Sequence, residues 1–406
     1  MKNVEFKKNT PLFWDVNNKG KVIIQTYRLK QFFELYGFGQ FQINKARTSL
    51  KSLFRNDQGI LKLHDVHSVK KWVREFLEGI PEDKFVEYFP HPDAGNDYYF
   101  SVLQGWQDFD TGKITKVLLD LNIFSEDGFA GTENIHLFKD KEGVCHIRFK
   151  NGVVKITKKK IEIIDTKKLK NHGAVWENEI IPHNIKLDKQ DKGVFAKYCK
   201  LSMHRHNPKK KNDDWWKNYE FNGRSNEEYD SLRRAYGFLI HSHNTSEDKK
   251  CIFFIDQDSS KERTDGQNGK SRILSSIKYY KKDAYQDGQA FRQGVGSGQR
   301  FQFTNVDVNT KFVWIDDVKP EFKFELLFSI LTGPMEVERK NKDKFIIPTS
   351  KKPKFGITTN HIIPQAGVSY DARMHIIEFG NYLSKQKSLG DTDFLKKQIG
   401  KLLPDN

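Results

Sequence analysis

The chain has 406 residues, 37% hydrophobic and 13% aromatic, enough to bury real cores without disulfide or metal staples and too apolar for a disordered chain. Its 69 Lys and Arg against 53 Asp and Glu give a formal net charge of +16, which points to a polyanionic partner, most simply nucleic acid, or else to a solvated lysine-rich surface. Cys145, Cys199 and Cys251 share no metal-ligand spacing, no apolar stretch is long enough to span a bilayer, and the start has no signal-type apolar run, so a soluble cytoplasmic protein without membrane contact is expected.

From Lys21 to Phe38 the spacing of Leu29, Phe32, Phe33 and Tyr36 predicts an amphipathic helix ended by Gly37. A second helix is expected from Ser68 as N-cap, with Val69, Trp72, Val73, Phe76 and Leu77 on one face. Residues 1–95 therefore read as a helical region. Between Tyr98 and Ile164 the pattern changes to short β-type runs, including Val144–Phe149 and Val153–Ile156 joined across Lys150-Asn151-Gly152, a hairpin signal. With Lys158–Lys160 and Lys167–Lys170, residues 96–190 read as a basic β-rich region, either a nucleic-acid face or a solvated strand edge.

Residues 191–245 read as a helical collar. Within them KKKNDDWWKNYEF (209–221) mixes cations with aromatic rings, which suits stacking on single-stranded bases or anchoring a helix to a core. Ser225 and Glu228 have capping-box spacing, followed by a stripe of Tyr229, Leu232, Tyr236, Leu239 and Ile240. The pairs His204/His206 and His241/His243 lack the further ligands that a metal site needs.

The densest signal is Cys251–Ser271. An apolar strand, Cys251–Ile255, leads through a polar loop to Gly266-Gln267-Asn268-Gly269-Lys270-Ser271, and Ile273, Leu274 and Ile277 then fall on one helical face. Strand, glycine loop and helix make a phosphate-binding loop: Gly266, Asn268 and Gly269 let backbone N–H groups close round phosphates, Lys270 meets them as a point charge, and the Ser271 hydroxyl ligates Mg²⁺. Thr264 stands where the usual pattern has glycine. Further on, Lys311–Ile315 is an apolar run ending in Asp316 and Asp317, as a central parallel strand presents them. Asp316 is expected to hold Mg²⁺ and Asp317 to orient or deprotonate an attacking water. Phe322–Leu331 reads as a helix. Met335–Ile347 reads as a hairpin with Lys340, Lys342 and Lys344 at its tip, either a DNA-binding cationic finger that reaches phosphates or an ordinary exposed turn, and strands follow at Lys354–Thr359 and Met374–Phe379.

In order, DGQNGKS (265–271), FVWIDD (312–317), the hairpin within 329–355, GITTN (356–360) and ARMHIIEF (372–379) resemble the superfamily 3 helicase domain of phage and plasmid replication proteins, the poxvirus- and phage-type primase-helicases. The resemblance covers roughly the last third of the chain. It implies an α/β fold, a P-loop AAA+-like parallel sheet flanked by helices at 246–385, with a mixed α+β N-terminal region and a tail at 386–406. It also implies an ATP- and Mg²⁺-dependent DNA helicase, a homo-hexamer moving 3′ to 5′ on single-stranded or forked DNA. An ATP-switched replication initiator or loader with little unwinding is the alternative.

By the same resemblance Asn360 is the sensor that positions the water, Arg373 an arginine finger, and Lys340 and Lys342 the DNA-contacting residues. Asp317 stands where many members have Glu, and Ala372 where a second arginine is common. The acids in Ile255-Asp256-Gln257-Asp258 are read as loop, not as a primase metal site, so priming, if required, is expected from a separate protein.

Overall fold

The computed structural model describes residues 6–7, 9–42, 51–91, 97–126, 128, 130–165, 173–187, 193–204, 224–245, 247–257, 266–289, 301–340, 342–361 and 367–384, apart from the side chains of 224–226, 342 and 343. The lysines of 167–170, the basic-aromatic stretch 209–221, His206, Asp258, Thr264, Asp265 and the tail 386–406 lie outside the described residues. The chain divides into two compact units, one of residues 1–138 and 165–180, the other of 139–164 and 181–406.

The first unit opens with β1 (Trp14–Val16) and β2 (Val22–Ile24), then α1 (Thr26–Leu35), β3 (Phe38–Gln42), β4 (Lys51–Asp57) and β5 (Ile60–Leu63). Helices α2 (Val66–Glu78), α3 (Glu82–Tyr88), α4 (Tyr98–Asp108) and α5 (Thr111–Leu119) follow, then β6 (Ile123–Ser125) and β7 (Glu133–Asn134). Strands β8 (Val144–Phe149), β9 (Gly152–Thr157) and β10 (Ile161–Asp165) form a separate sheet before β11 (Val175–Trp176) returns to the first unit and pairs with β5. The six-stranded sheet runs β11-β5-β4-β3-β6-β7.

The predicted face of α1 is buried, and Gly37 beyond it takes φ +83°, the left-handed stop that glycine accepts without strain. Val22–Ile24, expected as helix, instead pairs with β1. Asp65, not Ser68, caps α2; Ser68 closes a reciprocal capping box from the third helical position. Residues 98–119 form two helices where short strands are expected. Tyr98, Val102 and Trp106 recur every four residues and bury together with Ile114, Val117 and Leu118, so packing of one face overrides the β-propensity of aromatic and branched side chains.

In the second unit β8 and β9 form the expected hairpin, but its turn is Lys150-Asn151, and Gly152 already pairs with Phe149. A Cβ at Gly152 would stand 2.6 Å from the Ile164 carbonyl on β10, so close strand approach is what requires glycine there. Helices α6 (Val194–Met203) and α7 (Arg224–Ile240) follow. A five-stranded parallel sheet then comprises β12 (Cys251–Asp256), β13 (Asp283–Asp287), β14 (Phe312–Asp316), β17 (Lys354–Thr358) and β18 (Met374–Phe379), in the order β13-β14-β17-β12-β18. Helix α8 (Lys270–Ser275) connects β12 to β13, and β15 (Met335–Arg339) with β16 (Lys342–Ile347) forms the expected antiparallel hairpin. Phe322–Leu331 is less regular than expected, a short 3₁₀ turn at Phe324–Leu327 running into the helix Phe328–Thr332.

The sheet is covered on both faces. Ile252, Phe254, Phe312 and Ile377 pack with Ile273, Leu274 and Ile277 of the α8 segment and with Leu201, Leu232 and Leu239 of α6 and α7. Phe253, Val313, Ile315 and Ile357 pack on the other side with Phe324, Leu327, Met335 and Ile347. Burial on both faces explains why β12 and β14 read as nearly unbroken apolar runs.

A buried ionic node joins β8 to this body. Asp140 accepts from the His146 N–H (2.7 Å), the Ser242 N–H (2.7 Å) and the Lys281 ammonium (3.0 Å), and Lys281 also donates to the His146 carbonyl (2.8 Å). Burial alone would raise the Asp140 pKa, but its His146, Lys281 and Ser242 partners outweigh it and hold the carboxyl well below the usual range. Such a depressed acid contributes stability that is complete above about pH 4 and lost as pH falls through its folded pKa. Asp140→Ala would leave Lys281 buried without its counter-charge, and we expect a loss of about 3–5 kcal/mol in urea unfolding at pH 7. A loss under about 1 kcal/mol would mean that the node does not hold the unit together.

Candidate active site

Side chains beyond the carboxyl ends of adjacent parallel strands converge on one crevice. Here β14, β17 and β12 are neighbours in the sheet. Asp316 ends β14, Asn360 follows β17 by two residues, and Asp256 ends β12. Residues separated by up to 104 positions therefore meet (256 to 360).

On re-entering the described chain at Gly266, the backbone takes left-handed conformations at Gln267 (φ 77°) and Gly269 (φ 95°), with Asn268 buried between them. A Cβ on Gly269 would stand 2.7 Å from both Ser202 Oγ and Tyr198 OH of α6, so the dihedral and the contact both demand glycine. Alternation of this kind curls successive N–H groups into an anion-accepting concavity. Gly266 faces Asn360, whose amide would lie 3.7 Å from a Cβ there. Lys270 opens α8, with Ser271 the next residue, half-buried.

Lys270 is 5% exposed. Its ammonium pairs with the Asp256 carboxylate and donates to Asn360 Oδ1 at 2.8 Å, while Asn360 Nδ2 donates to Asp317 Oδ1 at 3.0 Å. Burial lowers the Lys270 pKa, opposed by the charges of Asp256, Asp317 and Asp316. Asp317 lies in the left-handed region (φ 56°), a conformation that aspartate tolerates better than most residues and that clusters at functional sites. Gln289 Nε2 fixes it, donating to its carbonyl at 2.9 Å and to Oδ2 at 2.8 Å. Thr358 joins the two acids: its Oγ1 donates to Asp316 Oδ1 at 2.5 Å and accepts from the Asp317 N–H at 2.8 Å.

The arrangement places one cation opposite an oriented carboxylate, with a third side chain, Asn360, bonded to both. Lys270 can stabilise charge on a phosphoryl oxygen, and Asp317, held on both oxygens, can orient a water. Among the described residues no three His, Cys, Asp or Glu side chains gather as a metal-binding group. That donor set does not make an all-protein cage. Mg²⁺ is an ion that one or two protein carboxylates hold together with phosphate oxygens and water. Asp316 and the Ser271 hydroxyl would hold the ion, and it would neutralise charge on the phosphates.

Asp256 corrects the reading of its segment as loop. It is the last residue of a buried strand and 3% exposed, and it also accepts from Asn268 Nδ2 at 2.9 Å. An acid closing an apolar run is the same sign that marks Asp316, so it was available in the sequence. Thr358 and Gln289 carry no such sign, because their roles depend on which strands are neighbours.

Other expected residues lie away from this cluster. Arg373 stands just before β18, at the opposite end of the sheet, where its neighbour Met374 pairs with Cys251. Its guanidinium donates to the Ser369 carbonyl at 2.9 Å and lies 4.6 Å from the centroid of the Phe328 ring. Lys340 is exposed beyond β15, and Lys344 pairs with Glu336 at 2.7 Å; Lys342 opens β16 opposite Arg339, its side chain outside the described part of the molecule. Arg339, beside the tip, donates to the Thr304 and Val306 carbonyls at 3.1 and 2.8 Å and so anchors the hairpin.

No family model and no curated protein matches the chain. Among solved structures it is similar to the NrS-1 C-terminal region in an apo A form, in one case with a TM-score of 0.31 and 12% identity over 64% of each chain. A second such structure gives 0.34 and 12%, over 64% of this chain and 63% of the other. A JCV helicase with a bound acetamide compound gives 0.30 and 15%, over 52% and 53%. The chain thus spans less than two thirds of the length of each. Likeness this low carries no functional argument, which rests on the geometry above.

Proposed function

We propose that the second unit is the ATPase motor of a replicative DNA helicase of the superfamily 3 type, as encoded by phages and mobile elements, working as a homo-hexameric ring with priming left to another protein. The observation that carries this reading is the hydrogen-bonded run Asp256–Lys270–Asn360–Asp317 at the ends of adjacent parallel strands, behind a loop bent at Gln267 and Gly269. Lys270 would meet the β- and γ-phosphates of ATP, Asp317 would orient the attacking water, and Asn360 would couple the two. Arg373 would serve the neighbouring subunit's nucleotide. The charge of +16 supports a polyanionic partner, and the exposed Lys340 supports the hairpin as a point where DNA is held.

The test is ATP turnover with and without single-stranded DNA, together with strand displacement on 3′- and 5′-tailed forks, with ATP and GTP compared. Stimulated turnover and opening of the 3′-tailed fork are expected. Turnover indifferent to DNA, with no displacement, would favour the initiator or loader instead. Replacing Lys340 and Lys342 together with Ala should leave ATP turnover but abolish displacement, and should reduce the salt slope of single-strand binding by roughly 0.7 for each phosphate no longer neutralised. Undiminished displacement by that variant would make the hairpin tip an ordinary exposed turn.

A further inference from the structure

Asp256 engages two polar side chains of the phosphate loop, Lys270 and Asn268. One carboxylate oxygen pairs with the Lys270 ammonium and the other accepts from Asn268 Nδ2, while Asn268 Oδ1 accepts from the Ser384 N–H at 3.2 Å. All three side-chain carriers are buried, with Asp256 3%, Asn268 1% and Lys270 5% exposed. Breaking an ion pair so far out of water is costly, because the partner left alone is a buried, uncompensated charge. The same ammonium is the group that the nucleotide reading assigns to the phosphates. A lysine has three N–H donors, and two are already committed, to Asp256 and to Asn360. A polyphosphate brings several negative charges next to a buried carboxylate, and like charges at such range repel.

We propose that Asp256 is a built-in competitor for Lys270: it holds the lysine in the phosphate-free state, and a polyphosphate binds by taking the ammonium from it. No covalent bond changes; one charge-assisted hydrogen bond, ammonium to carboxylate, is exchanged for another, ammonium to phosphate. Asp256 thereby weakens binding of every ligand whose phosphates need Lys270. It also holds the loop in shape when no ligand is present, through Asn268. The inference rests on the phosphate-site reading and adds to it a residue that sets affinity.

The experiment measures ATP and inorganic pyrophosphate binding to the full chain by calorimetry, alongside melting temperature with and without each ligand. In Asp256→Asn the amide still accepts from Asn268 but no longer neutralises Lys270. We expect this variant to melt lower than wild type without ligand, to bind pyrophosphate about tenfold or more tighter, and to gain more in melting temperature on adding it. Asp256→Glu, which keeps the charge, should not tighten binding. Pyrophosphate affinity equal to or weaker than wild type in Asp256→Asn overturns the proposal, as does lower turnover at unchanged affinity, which would make Asp256 only an orienting group. Should Asp256→Asn fail to fold, the ¹⁵Nζ resonance of Lys270 in the wild type decides. It should shift when pyrophosphate is added, and an unmoved resonance with the ligand bound overturns the exchange. Wild type that binds neither ATP nor pyrophosphate would instead sink the phosphate-site reading beneath it.

Discussion

Lys270→Ala is expected to lower ATP turnover by about 10²–10³-fold or more, because the charge that develops on the transferred phosphoryl group would lose its buried cation. Lys270 is the cation that the hydrogen-bonded run through Asp256, Asn360 and Asp317 holds among the described residues. The substitution has a second effect that its role in catalysis does not explain. It leaves the Asp256 carboxylate, 3% exposed, without its ion-pair partner, so stability should also fall, by about 3–5 kcal/mol. The two effects separate in the double variant Lys270→Met with Asp256→Asn, which should recover most of the melting temperature and none of the turnover. Wild-type turnover in Lys270→Ala, measured where circular dichroism shows it folded, would exclude the loop from phosphate chemistry.

Arg373→Ala should also lose about 10³–10⁵ in turnover, the range for arginine fingers. The reason would differ. From the register of β12 with β18, Arg373 sits beside the Cys251 end of a strand whose Asp256 end holds the site, six residues away at about 3.3 Å per residue. An arginine side chain does not span that length, so Arg373 cannot reach its own chain's Lys270 region. A head-to-tail contact that closes by rotation would bring it to the neighbour's site. Mixing inactive Arg373→Ala with inactive Lys270→Ala subunits should then restore part of the hydrolysis at junctions where an intact loop meets an intact arginine. Within the chain Arg373 is held by the Ser369 carbonyl and the Phe328 ring, interactions worth about 1 kcal/mol each. If those two are its whole role, Arg373→Ala lowers stability slightly and turns over ATP normally as a monomer, and the ring mechanism fails.

What could be read from residues alone was local. Gly266–Ser271 carries its meaning in adjacent positions, since the left-handed glycine at 269, the lysine and the helix behind them are neighbours in the chain. The runs at 251–255 and 312–315 are apolar throughout because both faces of their strands are covered, whereas the edge strand Met374–Phe379, also expected, mixes buried Met374, Ile377 and Phe379 with exposed His375 and Glu378. Where the same composition could serve either period, the local signal failed: residues 98–119 are aromatic and β-branched enough to suggest strands, and only the core beneath Val102 and Trp106 makes them helices. The order β13-β14-β17-β12-β18 could not be read from any segment, because it depends on which strands exclude water best against one another. That order sets β17 between the loop strand and the acid strand. It thereby brings Thr358 to Asp316 and Asn360 between Lys270 and Asp317, and leaves Arg373 at the far end of the sheet.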